Sequence, residues 1–154
     1  MTIKLKAKEI GINKLIEVKP TISVVDMADE MMIKLLQMDE DDAREEVEEA
    51  KKEKDKKELT PEEQKSLDKK DRLNMVKSIQ KERDFTKESF DFLQTTLKLT
   101  DKQVDHAKES IEFDGLGEYL MYVIGRIKGR SDADFELDKK VEAEKAKSED
   151  PKKG

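Results

Sequence analysis

The chain has no cysteine, no tryptophan and a single histidine among its 154 residues. The first absence excludes disulfides and thiolate metal sites, and it points to a reducing, intracellular setting. Lone His106 would need several convergent carboxylates to become a metal ligand or a general base, and nothing in the sequence marks which. No Ser-His-Asp arrangement, Gly-rich phosphate cradle or nucleophile motif stands anywhere, so no catalytic, metal-ligating or cofactor-binding residue is nominated. No apolar run approaches the ~20 residues that span a bilayer. Met1 to Ile10 lacks the apolar stretch and small-residue cleavage site of a signal peptide. The expectation is a non-enzymatic protein that binds other proteins.

Apolar side chains are also scarce. Hydrophobic residues make up 34% of the chain and aromatics 5%, against 45% charged, where about a quarter is usual. Such a chain cannot bury its whole length, because burial must offset the entropy of each ordered residue. A modest core with long solvated segments follows. The charges are nearly balanced, 32 Lys+Arg against 38 Asp+Glu for a net of −6. That disfavours a dedicated nucleic-acid binder and suits solvated helices.

Ile3, Leu5 and Ala7 alternate with polar neighbours, and Ile16 and Val18 repeat the pattern, which predicts one or two short strands with a hairpin around Gly11 to Lys14. From Val24 the period changes: Val25, Ala28, Met31, Met32, Leu35 and Leu36 recur at helical spacing, with Ser23 as a candidate cap. Met27, Met31, Met32 and Met38 could form an adaptable binding surface, although core filling is the plainer reading. Between Asp39 and Asp71, 24 of 33 residues are charged, acids first and bases after, which predicts a protruding helix or a disordered arm. Asp39, Asp41 and Asp42 superficially resemble a calcium loop, but its turn glycine is missing.

Thr60-Pro61-Glu62-Glu63 marks a fresh helix start. Leu73, Val76 and Ile79 put a narrow stripe on a segment ending near Arg83. Phe85, Phe90, Phe92, Leu93, Leu97 and Leu99 then make a broad apolar face that belongs in the core. Thr100 and Gln103 form a capping box before a short helix through Val104, Ala107 and Ile111. A last element, with Asp114 as candidate cap, carries Leu116, Leu120, Val123 and Ile127 on one face. It is apolar nearly all round from Tyr119 to Ile124, so a strand stays open as an alternative there. Gly129 ends it. Arg126, Lys128 and Arg130 offer a cationic cluster that could take phosphate or RNA, or merely answer the helix dipole. The fold class expected is mainly α (α+β): one helical domain over 1–130, a short N-terminal β element, a charged insertion at about 39–60, and a charged tail over 131–154, disordered towards its end.

The order of these parts, with the segment Phe90-Asp91-Phe92-Leu93-Gln94-Thr95-Thr96-Leu97-Lys98-Leu99-Thr100-Asp101-Lys102-Gln103-Val104 before the Tyr119 to Ile127 element, resembles the tail assembly chaperones of long-tailed phages or prophages of Gram-positive bacteria. The likeness covers roughly Ile3 to Lys128 and is one of layout and helical pattern. It implies a chaperone, in the cytoplasm of a bacterial host, that keeps the tape-measure protein soluble, helps recruit tail-tube subunits and is absent from the virion. It also implies a longer form made by programmed frameshift, for which Pro151-Lys152-Lys153 could be encoded by a slippery site. The partner-binding surface expected is a groove between the Met31/Leu35 helix and the Leu116/Leu120 helix. The competing readings are a capsid scaffolding protein and a small RNA-binding regulator using Arg126, Lys128 and Arg130.

Overall fold

The computed structural model describes residues 1–55 and 60–148. Two short strands, β1 (Ile3–Leu5) and β2 (Ile16–Val18), pair antiparallel with Ile3 opposite Val18 and Leu5 opposite Ile16. The alternation read from the sequence sends Leu5 and Val18 into the core and Lys4 and Glu17 to solvent. Their connection is a 3-10 turn (Lys8–Ile10) closed by Gly11 at φ +78°. Its left-handed backbone lets the Gly11 N–H donate to the Lys8 carbonyl.

Five helices follow: α1 (Ile22–Asp55), α2 (Pro61–Leu97), α3 (Asp101–Ser110), α4 (Phe113–Ile127) and α5 (Asp132–Ser148). α1 is capped by Thr21, whose hydroxyl accepts from the Val24 N–H at 3.3 Å, rather than by Ser23. It runs without a break through the acidic block, so 39–55 is helix. Thr60 caps α2 with the full reciprocal box to Glu63, and Pro61 opens it. α2 does not stop near Arg83. The narrow stripe and the broad Phe/Leu face lie on one helix of 37 residues, because nothing between Arg83 and Phe85 breaks the backbone ladder. Thr100 and Gln103 start α3 as a second capping box. α4 is helix throughout, which removes the strand alternative. It begins at Phe113 with Glu112 as an unassisted cap, so Asp114 lies inside its first turn. The charged tail forms a helix as far as Ser148. Residues 149–154, with Pro151, Lys152 and Lys153, lie outside the described residues.

The core sits at one end of the molecule. α4 is wedged between α1 and β1, while the last turns of α2 reach β2 and α3 packs against the 3-10 turn. Leu93, Leu120 and Val123 are fully buried there with Leu5, Ile10 and Ala28. From this head, the distal part of α1 and the first half of α2 continue as an arm of largely exposed residues, antiparallel over the stretch where the two helices pair. Lys34–Glu88 at 2.6 Å and Lys81–Asp41 at 3.2 Å pair across it. At 1.5 Å per residue, α1 alone is roughly 50 Å long.

Gly11 is the tightest point of the head. A Cβ there would overlap the ring of His106 and would have to adopt the left-handed conformation, which costs about 1–2 kcal/mol for other residues. Gly11→Ala is therefore expected to destabilise the chain by roughly 1–3 kcal/mol in urea unfolding. Adding His106→Ala should recover the steric part and leave the backbone part. Unchanged stability in Gly11→Ala would contradict this packing.

Candidate partner-binding surfaces

The expected groove is occupied by the chain itself. α1 packs directly on α4, and Met31, Leu116 and Leu120 lie in the core, with Leu120 wholly inaccessible. Leu35 is half-buried against the same cluster, as are Met27, Met32 and Met38, so this methionine group fills gaps between helices. Met31, Leu116 and Leu120 are each at most 4% exposed. The sequence signal was real apolar periodicity, but periodicity does not say whether a face meets the chain's own core or a partner.

A different depression is open. It holds about 560 Å³ between α2, α3 and the start of α4. Phe90, Val104 and Phe113 supply its apolar floor and wall, and Arg83, Lys87, Asp91, Asp101, Asp105 and Lys108 stand around them. Phe113 is 45% exposed and rests edge-on against Phe85, ring centroids 6.0 Å apart. Lys108 Nζ sits 5.6 Å from the centre of the Phe90 ring. An apolar floor with a rim of both charge signs is suited to the side chains of an amphipathic helix. Sequence reasoning placed Phe90 in the core and passed over Phe113, which carried no periodic signal.

His106 is exposed at the edge of a shallower depression of about 460 Å³ beside Gly11, Asn13, Lys14, Lys102 and Gln103. No carboxylate lines it, so the groups that would polarise the ring are not gathered there. Among the described residues no cluster of His, Asp or Glu could hold a metal ion.

The cationic cluster is engaged within the chain. Arg126 donates to the Lys4 carbonyl at 3.0 Å and to the Arg130 carbonyl at 2.8 Å, and its Nε lies 3.4 Å from the Asp132 carboxylate, too poorly aligned for a hydrogen bond. Lys128 pairs with Asp29 at 2.6 Å, tying the end of α4 to α1. Arg130 pairs with Asp138 and stacks on Phe135 at 4.4 Å. Phe135 in turn packs on Tyr122 and over Gly125, where any Cβ would overlap its ring. Gly125-Arg126-Ile127-Lys128-Gly129-Arg130 therefore works as a latch that docks α5 and β1, rather than as an open phosphate site.

Two tyrosines complete that latch. The Tyr119 hydroxyl donates to the Lys6 carbonyl at 2.8 Å, and the Tyr122 hydroxyl accepts from the Lys6 N–H at 3.1 Å while donating to Asp132 at 2.7 Å. Burial is the main force pushing the Tyr119 phenol well above its ordinary range, with Glu9 adding to it. Tyr122 is raised for the same leading reason.

The layout of helices and this head can be set beside known families. A family model described as phage tail assembly chaperone proteins, TAC, matches residues 1–145. The chain belongs to this family. No curated protein and no solved structure matches it. Membership in a chaperone family assigns the protein a role in phage tail assembly, with tail proteins as the general class of partner. Among the described residues no helix is long and apolar enough to cross a membrane.

The tyrosine latch makes a pH prediction. A phenol whose pKa is higher folded than unfolded favours the native state fully below the unfolded value of about 10. That contribution is lost as pH rises from there towards the folded value. Tyr119→Phe should cost about 1 kcal/mol at neutral pH through the lost hydrogen bond. It should also flatten the fall in stability above pH ~10. Identical alkaline unfolding profiles for the two proteins would contradict the assignment.

Proposed function

We propose that this chaperone binds the tape-measure protein, keeps its amphipathic helices out of solution aggregates, helps recruit tail-tube subunits and leaves before the tail is complete. The role is non-catalytic and takes place in the cytoplasm of the bacterial host. It is shared with a longer frameshifted form of the same chain, read through at Pro151-Lys152-Lys153. Family membership supports the reading at the level of tail assembly. The observation that carries the finer part is the open depression floored by Phe90, Val104 and Phe113 and rimmed by both charge signs. It can receive apolar side chains of a partner helix while pairing that helix's charged flanks.

Met31, Leu35, Leu116 and Leu120 can join such a contact only if α1 lifts from α4, which would expose Leu120 and the core around it. The open depression needs no such rearrangement, so we place the first contact there.

Co-expressing the gene and its natural downstream DNA with the tape-measure gene tests both claims. The wild-type chain should raise the soluble yield of tape-measure protein and co-purify with it. Phe113→Ser, or Lys87→Glu with Lys108→Glu on the rim, should weaken capture about tenfold or more while helicity stays unchanged, the loss of one buried aromatic anchor being worth ~2 kcal/mol. Capture that survives both variants would remove the depression from the account. Mass spectrometry of the same cells should find a minor product fused near Lys153 to a second frame; its absence would remove the frameshifted partner.

A further inference from the structure

The depression between α2, α3 and the start of α4 is not evenly charged. α3 runs back along α2 from the turn at Lys98, so its lining can be followed layer by layer. The Gln94 amide donates to the Asp101 carboxylate at 2.8 Å, Lys108 stands over Phe90, and Phe113 meets Phe85. The end nearest Phe113 is lined by Arg83, Lys87 and Lys108 against one acid, Glu82. The opposite end is lined by Asp91, Asp101 and Asp105, with no base among the described residues. All of these charged residues are exposed. From Arg83 to Gln94 the depression is ~16 Å long, or about three helical turns.

Neither helix gains from all of this order by itself. Arg83 and Lys87 are four residues apart on α2, and Asp101 and Asp105 are four apart on α3. Like charges at that spacing are mildly destabilising. On α3, an acid in the first turn and a base in the last answer the helix dipole, which accounts for Asp101 and Lys108. Arg83, Lys87 and Asp91 lie more than a turn from either end of α2, beyond the reach of its dipole. Nothing within α2 favours bases before an acid there. The two helices nevertheless agree across the shared floor: bases at the Phe113 end, acids at the Gln94 end.

We propose that the depression accepts a partner helix in one direction and selects it by the order of its charges, an inference that rests on reading the depression as a partner site. The occupant is an amphipathic helix of about three to four turns. It carries Lys or Arg in its first half, Asp or Glu in its second, and an aromatic or long aliphatic residue between them that packs on Phe113. It starts over Asp91, Asp101 and Asp105 and ends over Arg83, Lys87 and Lys108, so it runs antiparallel to α2 and parallel to α3. Its side chains and its backbone dipole then favour the same orientation, N-terminus towards the acids and C-terminus towards the bases. Turned end for end, the same helix sets like charges together at both ends. Bases first is also the reverse of the order that stabilises an isolated helix, so the segment gains helicity from the depression that holds it.

Two synthetic peptides of one composition, titrated against the full chain, test it. Both carry the same central aromatic residue and the same outward-facing hydrocarbon staple, which keeps both helical. One has its bases first and its acids last; the other has the reverse order. At low salt the bases-first peptide should bind about tenfold tighter, and added salt should narrow the difference. The preference should invert in a chain carrying Lys87→Glu, Asp91→Lys, Asp105→Lys and Lys108→Glu. All four positions are exposed, and circular dichroism should show unchanged helicity. Should helicity fall, Lys87→Gln with Asp105→Asn replaces them and should shrink the preference to about threefold. Equal binding of the two peptides, lost in Phe113→Ser, would overturn the direction while leaving the depression a partner site. Binding of neither peptide, or binding unmoved by Phe113→Ser, would overturn the direction and the depression together.

Discussion

Everything in this molecule depends on where one short apolar helix is buried. Among the described residues, α4 is the one helix apolar enough to be covered on most of its circumference, and it is wedged between α1 and the N-terminal sheet with Leu120 and Val123 fully inaccessible. Its polar atoms are matched to that position. Tyr119 donates to the Lys6 carbonyl and Arg126 to the Lys4 carbonyl, so the strand edge is held by α4 side chains as well as by β2. Lys128 reaches Asp29 and fixes α4 on α1 from the other side. With hydrophobic residues at 34% of the sequence, the chain has material for one such core, and it is gathered at one end.

The remainder of α1 and α2 is stabilised differently. Away from the head, helix propensity, capping at Thr60 and charge pairs such as Lys81–Asp41 replace burial. Each exposed pair contributes only a few tenths of a kcal/mol, and salt weakens it. The arm therefore keeps its apolar outer edges available, while its charges oppose indiscriminate clumping. A tail assembly chaperone that binds other proteins needs this combination: surface that can be covered, on elements whose own folding does not require the cover.

The sequence revealed elements more readily than surfaces. The helix start at Thr60-Pro61, the Thr100–Gln103 capping box, the paired strands and the core face from Phe85 to Leu97 follow local rules of spacing and side-chain chemistry, and they stand where those rules put them. The family resemblance rested on that same order of parts, and residues 1–145 bear it out. The site was harder. Met31, Leu116 and Leu120 have the periodicity of a binding face, yet α1 and α4 satisfy each other. Phe113 forms part of an open depression because α3 ends one turn before it, a tertiary fact with no periodic trace. Arg126, Lys128 and Arg130 looked free because their partners Lys4, Asp29 and Asp138 come from three different elements. The continuity of α2 past Arg83 was hidden by a change in which face is apolar, which alters burial without altering the backbone.

Amide hydrogen exchange of the full chain tests the central division most directly. Amides of α4 and of 85–97 should exchange only through global unfolding, whereas those of 39–55 and 61–83 should exchange through local opening at far lower free energy. Equal protection along the whole of α1 and α2 would contradict the account, because it would mean that the arm is held by a core of its own.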